Sequence, residues 1–298
     1  MAKFTWSEIF YSIEGESKYS GFPTIYFRNS LCNFQCKGFN NPDNLDTTSI
    51  EVLGFNPKDY TDIYSIPLIT KGCDSIYSWD PKFAHMWKKG DEHDVAEGLL
   101  NLLPGRSMIN PNTGLPVILS ITGGEPTVQW KKLPALFNTP ELVHCKHILI
   151  ETNCSVAFKL EFIMEINKWL AVDPERKWTW SNSPKLSSSG EKWEEAIVPK
   201  VAAMQRLACG PEFNNQMDQY FKFVCGPTNE DFDEVAKAME EYYTAGIPRK
   251  TAVYIMPMAC TEEQQQSIAS QVAHACMERG YIYSHRIQNS IFGNKIGT

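Results

Sequence analysis

Two cysteines separated by three residues, Cys32 and Cys36, stand in the loop-like run NSLCNFQCKGFNNP. The pair admits three readings. Two buried thiols are the plainest, since free cysteine is usually a small buried hydrophobe. Zinc usually takes C-x2-C with a second pair, and the sequence has no such second pair. An iron–sulfur cluster held by three cysteines leaves one iron without a protein ligand, free to bind a substrate or cofactor. A third ligand is then due close by, but position 39 is Phe39. A second chemical signal is TGGEP, Thr122 to Pro126. A tight turn explains two glycines, but after a buried strand they also let a ligand approach the backbone. TNC (152–154) and NSPK (182–185) end two further apolar runs.

These residues need a scaffold that collects strand ends. The runs TIYFR (24–28), PVILSIT (116–122), HILIET (147–152), KWTWS (177–181), YFKFVC (220–225), AVYIMP (252–257) and YIYSHRI (281–287) read as strands. Helical patterns lie between them, near 93–104, 130–138, 157–170, 193–207, 230–244 and 262–279. Thr261 and Gln264 form a capping-box pattern, Gly280 is a stop, and Asn229 is the expected N-cap of 230–244. Strand–helix alternation predicts an α/β fold with a parallel sheet and right-handed crossovers. The pattern fits a barrel or an open sheet. Either one gathers ligands at the C-terminal ends of its strands. Residues 37–72 and 105–115 read as an insertion and a long loop. The whole chain, 1–298, reads as one domain.

Of the 298 residues, 43 % are hydrophobic and 21 % charged, with a net charge of −7. A general grip on nucleic acid would want a basic surface. No apolar run reaches the about 18 residues of a membrane span. MAKFTWSEIF has no signal-peptide core, and the expected compartment is cytoplasmic. Nine scattered cysteines argue against a disulfide framework. Cys145, Cys209, Cys225 and Cys276 read as buried hydrophobes.

Taken together, EIFYSIEGES (8–17), GFPTIYFRNSLCNFQC (21–36), TGGEP (122–126), ETN (151–153), SPK (183–185) and FKFV (221–224) resemble the radical S-adenosylmethionine enzymes. Within these, the chain is similar to the 7-carboxy-7-deazaguanine synthase family of queuosine and 7-deazapurine biosynthesis. The resemblance implies a partial (β/α)6-type barrel with outer helices. It implies a 4Fe-4S cluster, S-adenosylmethionine and Mg²⁺, and reductive cleavage of the cofactor to a 5′-deoxyadenosyl radical. The implied reaction converts 6-carboxy-5,6,7,8-tetrahydropterin to 7-carboxy-7-deazaguanine and ammonia. Implied cofactor residues are Gly123, Gly124, Glu125, Asn153, Ser183, Pro184 and Lys185. Implied substrate residues are Ile13, Glu14, Gly15, Glu16, Arg28, Thr122, Glu151 and Thr298. Arg28 suits a substrate carboxylate, because its fork pairs in bidentate fashion. No side chain is assigned as catalytic. A homodimer and an electron donor such as flavodoxin are implied, with no direct nucleic-acid or membrane partner.

The superfamily pattern is C-x3-C-x2-C. Cys73, followed by Asp74 and Ser75, is the expected third ligand, because that context matches the end of the family's cluster loop. Residues 37–72 then form an insertion inside that loop, as in phage-type sequences, and loop closure costs rise only slowly with length. Cys154 is the runner-up, at a place where the family has glycine. Ser75 is the implied magnesium ligand, replacing the family's Thr, and Glu14 replaces its Gln. His85 is given no role. Two other readings compete: a glycyl-radical-type activase, and a degenerate non-catalytic pterin-binding protein.

Overall fold

The computed structural model describes residues 1–207, 211–293 and 295–298. Among the described residues, nine strands form one sheet. They are β1 (Phe4–Ile13), β2 (Pro23–Asn29), β3 (Lys88–Gly90), β4 (Ile118–Gly123), β5 (His147–Thr152), β6 (Lys177–Asn182), β7 (Met217–Cys225), β8 (Val253–Pro257) and β9 (Ile282–Tyr283). Their order is β3-β1-β2-β4-β5-β6-β7-β8-β9. From β2 to β9 every pairing is parallel, while β1 runs antiparallel to both β2 and β3. The mostly parallel α/β sheet expected from the alternation is present.

The apolar runs form central strands because both of their faces are covered. Leu119 and Ile121 of β4, Ile148 and Ile150 of β5, and Trp178 and Trp180 of β6 are buried. Helices α2 (Glu92–Leu102), α3 (Leu133–Phe137), α4 (Leu160–Ala171), α6 (Pro199–Leu207), α7 (Asn229–Thr244) and α8 (Glu262–Arg279) alternate with the strands. Short helices α1 (Ile50–Leu53), α5 (Trp193–Ala196) and α9 (Ile287–Phe292) complete the set. Phe162 on α4 meets Trp178 and Trp180 edge-on, with ring centroids 6.3 and 6.2 Å away.

Several expectations need correction. The region 193–207 is two helices, α5 and α6, with a break before Pro199, because the residue preceding a proline disfavours helical geometry. The N-cap of α7 is Thr228, whose hydroxyl accepts from the Asp231 N–H in a capping box; Asn229 lies inside the helix. The run 281–287 forms strand only at Ile282–Tyr283. Strands β1 and β3 come in addition to the seven runs. The Thr261–Gln264 capping box and the left-handed Gly280 cap of α8 are both present. Cys145, Cys225 and Cys276 are buried; Cys209 lies outside the described residues.

Residues 37–72 build a second apolar cluster. Phe55, Ile63, Ile66 and Ile69 pack with Ile76, Tyr77, Trp79, Phe83 and Met86. Cys32, Cys73 and Ile296 lie against its edge.

Candidate active site

A cavity of about 250 Å³ opens where the strands end. Strands β4 and β5 deliver Thr122 to Gly124 and Glu151 to Asn153, and the turn after β6 delivers Ser183 and Lys185. Arg28 of β2 and Lys222 of β7 line it too. Ile13 ends β1 and Glu14 to Glu16 follow in the loop after it, and Thr298 reaches the same cavity. Two expected residues do not line it. The Glu125 carboxylate is fully buried and accepts from the Thr127 and Asn153 N–H groups and from the Thr127 and Thr152 hydroxyls. It holds the TGGEP turn together from beneath. Pro184 is also buried away from the cavity.

The chain makes the glycines of that turn obligatory. Gly123 has φ 145°, and a Cβ there would stand 2.2 Å from the Asn29 carbonyl oxygen. A Cβ on Gly124 would stand 2.4 Å from the Leu31 carbonyl oxygen. Close packing against the neighbouring backbone thus requires both glycines, and both still line the cavity. The Glu125 N–H donates to that Leu31 carbonyl at 2.9 Å, locking the turn onto the cysteine loop.

The cysteine loop answers the gap at Phe39. The Gly72 N–H donates to the Phe39 carbonyl at 2.7 Å. The intervening segment leaves and returns at one point, and Cys73 emerges beside position 39. Cys32, Cys36 and Cys73 share one packed cluster with Phe34, Phe39 and Ala196, and all three line the cavity. Burial pushes the Cys32 thiol to about 12 and the Cys73 thiol to about 11, and it also raises Cys36. Among the described residues, no three His, Cys, Asp or Glu side chains already stand in a metal-holding arrangement. Cys260 also lines the cavity, but its sulfur accepts from Asn40 Nδ2 at 2.8 Å and donates to the Thr70 carbonyl at 3.3 Å. Cys32, Cys36 and Cys73, packed in one cluster apart from it, are the donor set a three-cysteine cluster takes. Lys185, whose ammonium bonds the Ser183 carbonyl at 2.8 Å, lowers the cost of thiolate at all three. Cys154 does not line the cavity. It has φ 60° and is fully buried, with its sulfur 3.9 Å from Gln205 Nε2. A positive φ favours glycine.

Charged groups face one another across the cavity. The Arg28 guanidinium pairs with buried Glu8 at 2.5 Å and reaches Ser75 Oγ at 3.4 Å. Glu16 accepts from Lys222, from Arg286 Nε at 3.1 Å and from Gln288 Nε2 at 3.1 Å. Burial alone would raise the Glu16 pKa, but Lys222 and Arg286 outweigh it and hold it at about 2. The same pairing raises Lys222 against burial. Arg286 also bonds Asp74 Oδ2 at 3.0 Å. Burial works against the Asp74 carboxylate, yet Arg286 and Arg28 keep its pKa below the ordinary value. Glu151 accepts from the Ser120 and Thr122 hydroxyls at 3.2 and 3.1 Å. The sequence reading assigned no role to Lys222, Asp74, Arg286 or Gln288. A lone lysine inside the apolar run YFKFVC was the one local signal. His85 lies after the insertion and braces it, its Nε2 3.0 Å from the Tyr60 carbonyl.

No family model matches the chain. A crystal structure of QueE from Escherichia coli aligns with a TM-score of 0.48 at 15% identity, over 95% of this chain and 93% of that one. A curated 7-carboxy-7-deazaguanine synthase of Rhodopirellula baltica is 25% identical over 296 residues, 98% of this chain and 88% of that protein. One of Halobacterium salinarum is 23% identical over 292 residues, 97% of this chain and 90% of that protein. Over nearly its whole length, then, the chain is similar at low identity to proteins named 7-carboxy-7-deazaguanine synthase.

Proposed function

We propose that the chain is a radical S-adenosylmethionine lyase that converts 6-carboxy-5,6,7,8-tetrahydropterin to 7-carboxy-7-deazaguanine and ammonia. One observation carries the reading: the Gly72–Phe39 backbone bond returns the chain so that Cys73 joins Cys32 and Cys36 at the cavity edge. Residues 37–72 are then an insertion within the cluster loop of a single domain. The six parallel strands β2 and β4 to β8 support a partial (β/α)6-type barrel.

Cys32, Cys36 and Cys73 would hold a 4Fe-4S cluster. When bound, that cluster supplies the one-electron cleavage of S-adenosylmethionine. The polypeptide's own task is position. Gly123, Gly124, Asn153, Ser183 and Lys185 border the cofactor end, with Glu125 fixing their turn. Arg28 faces the substrate carboxylate, and Glu151 and Thr122 face the N–H edge of the heterocycle. Glu16 acts through its pairs with Lys222 and Arg286, which occupy its oxygens. Ser75 Oγ lies 3.1 Å from Asp74 Oδ1. Two hard oxygens with water and substrate oxygens suit Mg²⁺, which keeps water and takes few protein ligands. A homodimer, a flavodoxin-type donor and a cytoplasmic setting belong to the same reading. Among the described residues, no helix is long and apolar enough to cross a membrane.

The test is anaerobic turnover of reconstituted protein with dithionite, S-adenosylmethionine, Mg²⁺ and carboxytetrahydropterin, followed by mass spectrometry. The wild type should form carboxydeazaguanine, and Cys73→Ala should lose both product and cluster iron while Cys154→Ala keeps its iron. 5′-Deoxyadenosine without the deazaguanine would exclude the substrate. Iron retained in Cys73→Ala would exclude the displaced ligand.

A further inference from the structure

Two carboxylates on the cavity wall, Glu14 and Glu151, have no ion-pair partner among the described residues. Their hydrogen bonding is unequal. Glu151 receives a hydroxyl on each oxygen. Glu14 receives a long contact from the Glu16 N–H, 3.3 Å, and lies 3.1 Å from the Tyr26 hydroxyl. That hydroxyl also lies 3.2 Å from the Ile13 carbonyl. Tyr26 has one proton and faces two acceptors, so it cannot serve both fully. A proton on Glu14 removes the conflict: Glu14 donates to the Tyr26 oxygen, and Tyr26 donates to Ile13.

We propose that Glu14 stands in the cavity as a neutral acid, its proton donated to Tyr26, and leaves the N–H edge of a bound heterocycle to Glu151. Glu14 is thereby a positioning residue, and its link to a heterocyclic ligand rests on the proposed function. The groups facing Glu14 agree with this assignment. Burial is the largest influence and raises its pKa; Glu151 of β5 and Glu16 of its own loop raise it further. Two influences work in the opposite direction: Lys222 of β7, whose ammonium is committed to Glu16, and a hydroxyl proton given by Tyr26 to an ionised Glu14, which the proposal sends to the Ile13 carbonyl instead. Tyr220 of β7 and Tyr26 of β2 are the remaining titratable neighbours, and both are driven up by burial, so they stay neutral. Two ionised carboxylates on one dry wall would repel each other, as in other shared carboxylate sites.

The experiment is a ¹³C NMR titration of glutamate side-chain carboxyls in the full chain, with Glu14→Gln assigning the resonance. Glu14 should titrate above the about 4.3 of an unperturbed glutamate. Tyr26→Phe removes the acceptor of its proton and should lower the midpoint. A wild-type midpoint at or below the ordinary value overturns the proposal, as does a rise in Tyr26→Phe, which would mean that Tyr26 serves the carboxylate. A second readout is binding of 6-carboxypterin against pH. Wild-type binding should weaken as pH rises through the Glu14 midpoint, and Glu14→Gln should bind without that decline. A decline that persists in Glu14→Gln overturns the proposal. A raised midpoint with no pterin binding at any pH upholds the proton and overturns the proposed function instead.

Discussion

Glu16 shows how one carboxylate joins the site to the stability of the fold. Its pKa falls from 4.5 to about 2 because Lys222 and Arg286 face it in a nearly dry setting. A depressed carboxylate stabilises the native state above its unfolded pKa and loses that contribution as pH falls through its folded pKa. The shift corresponds to roughly 3 kcal/mol. Between about pH 4.5 and 2 the wild type should therefore lose about that much, as read from urea unfolding midpoints. Glu16→Gln should begin about 3 kcal/mol lower at pH 7, because it strands a buried ammonium. The gap between the two proteins should close as pH falls, since the wild type then loses what the variant already lacks. A gap that stays constant to pH 2 would show that the Glu16 pKa is not lowered in the native state.

Elements carry the next level of control. Thr228 caps α7 with a full capping box, so Thr228→Ala should cost about 1 kcal/mol, while Asn229→Ala should cost far less. Thermal unfolding of the two variants checks this directly. The sequence displayed most of the sheet because central parallel strands are continuous apolar runs, and HILIET is a strand over its whole length. β1 was harder to read, because FTWSEIFYSI mixes a buried glutamate and serines into its pattern; Glu8 is buried to meet Arg28. The split of 193–207 turns on Pro199, which a periodic pattern runs past. That the cysteines at 32, 36 and 73 would meet was legible through their local context, and they share one cluster at the cavity. The charged wall was not legible, because Asp74 and Arg286 look in sequence like any solvated charge, and Lys222 inside an apolar run hints at burial without naming its partner. Their partners lie far away along the chain, and pairing at such range leaves no local signature.

At the scale of the whole molecule, two distant segments meet. The Ile287 N–H donates to the Gly15 carbonyl at 3.0 Å, and the Ser17 N–H donates to Ser284 Oγ at 2.7 Å. Arg286 adds bonds to Glu16, Asp74 and the Ala259 carbonyl. Arg286→Ala should therefore loosen both segments at once. Hydrogen exchange should show residues 14–17 and 284–288 losing protection together, while β4 to β6 keep theirs. Loss confined to 284–288 would mean that the two segments are not coupled.

That meeting of segments also orders the making of the protein. Each strand from β5 to β9 pairs with the strand made just before it, so most of the sheet can form as the chain is synthesised. The wall around Glu16 cannot. Lys222 arrives with β7, but Arg286 follows more than sixty residues later. A nascent chain that has reached β8 holds Glu16 and Asp74 at its cavity with their shared partner Arg286 still unmade. The segment 14–17 then lacks the contacts from 284–288 that fix it. Ordering of that wall is thus deferred until synthesis is nearly complete, and the order of residues along the chain acts as a timer on the site.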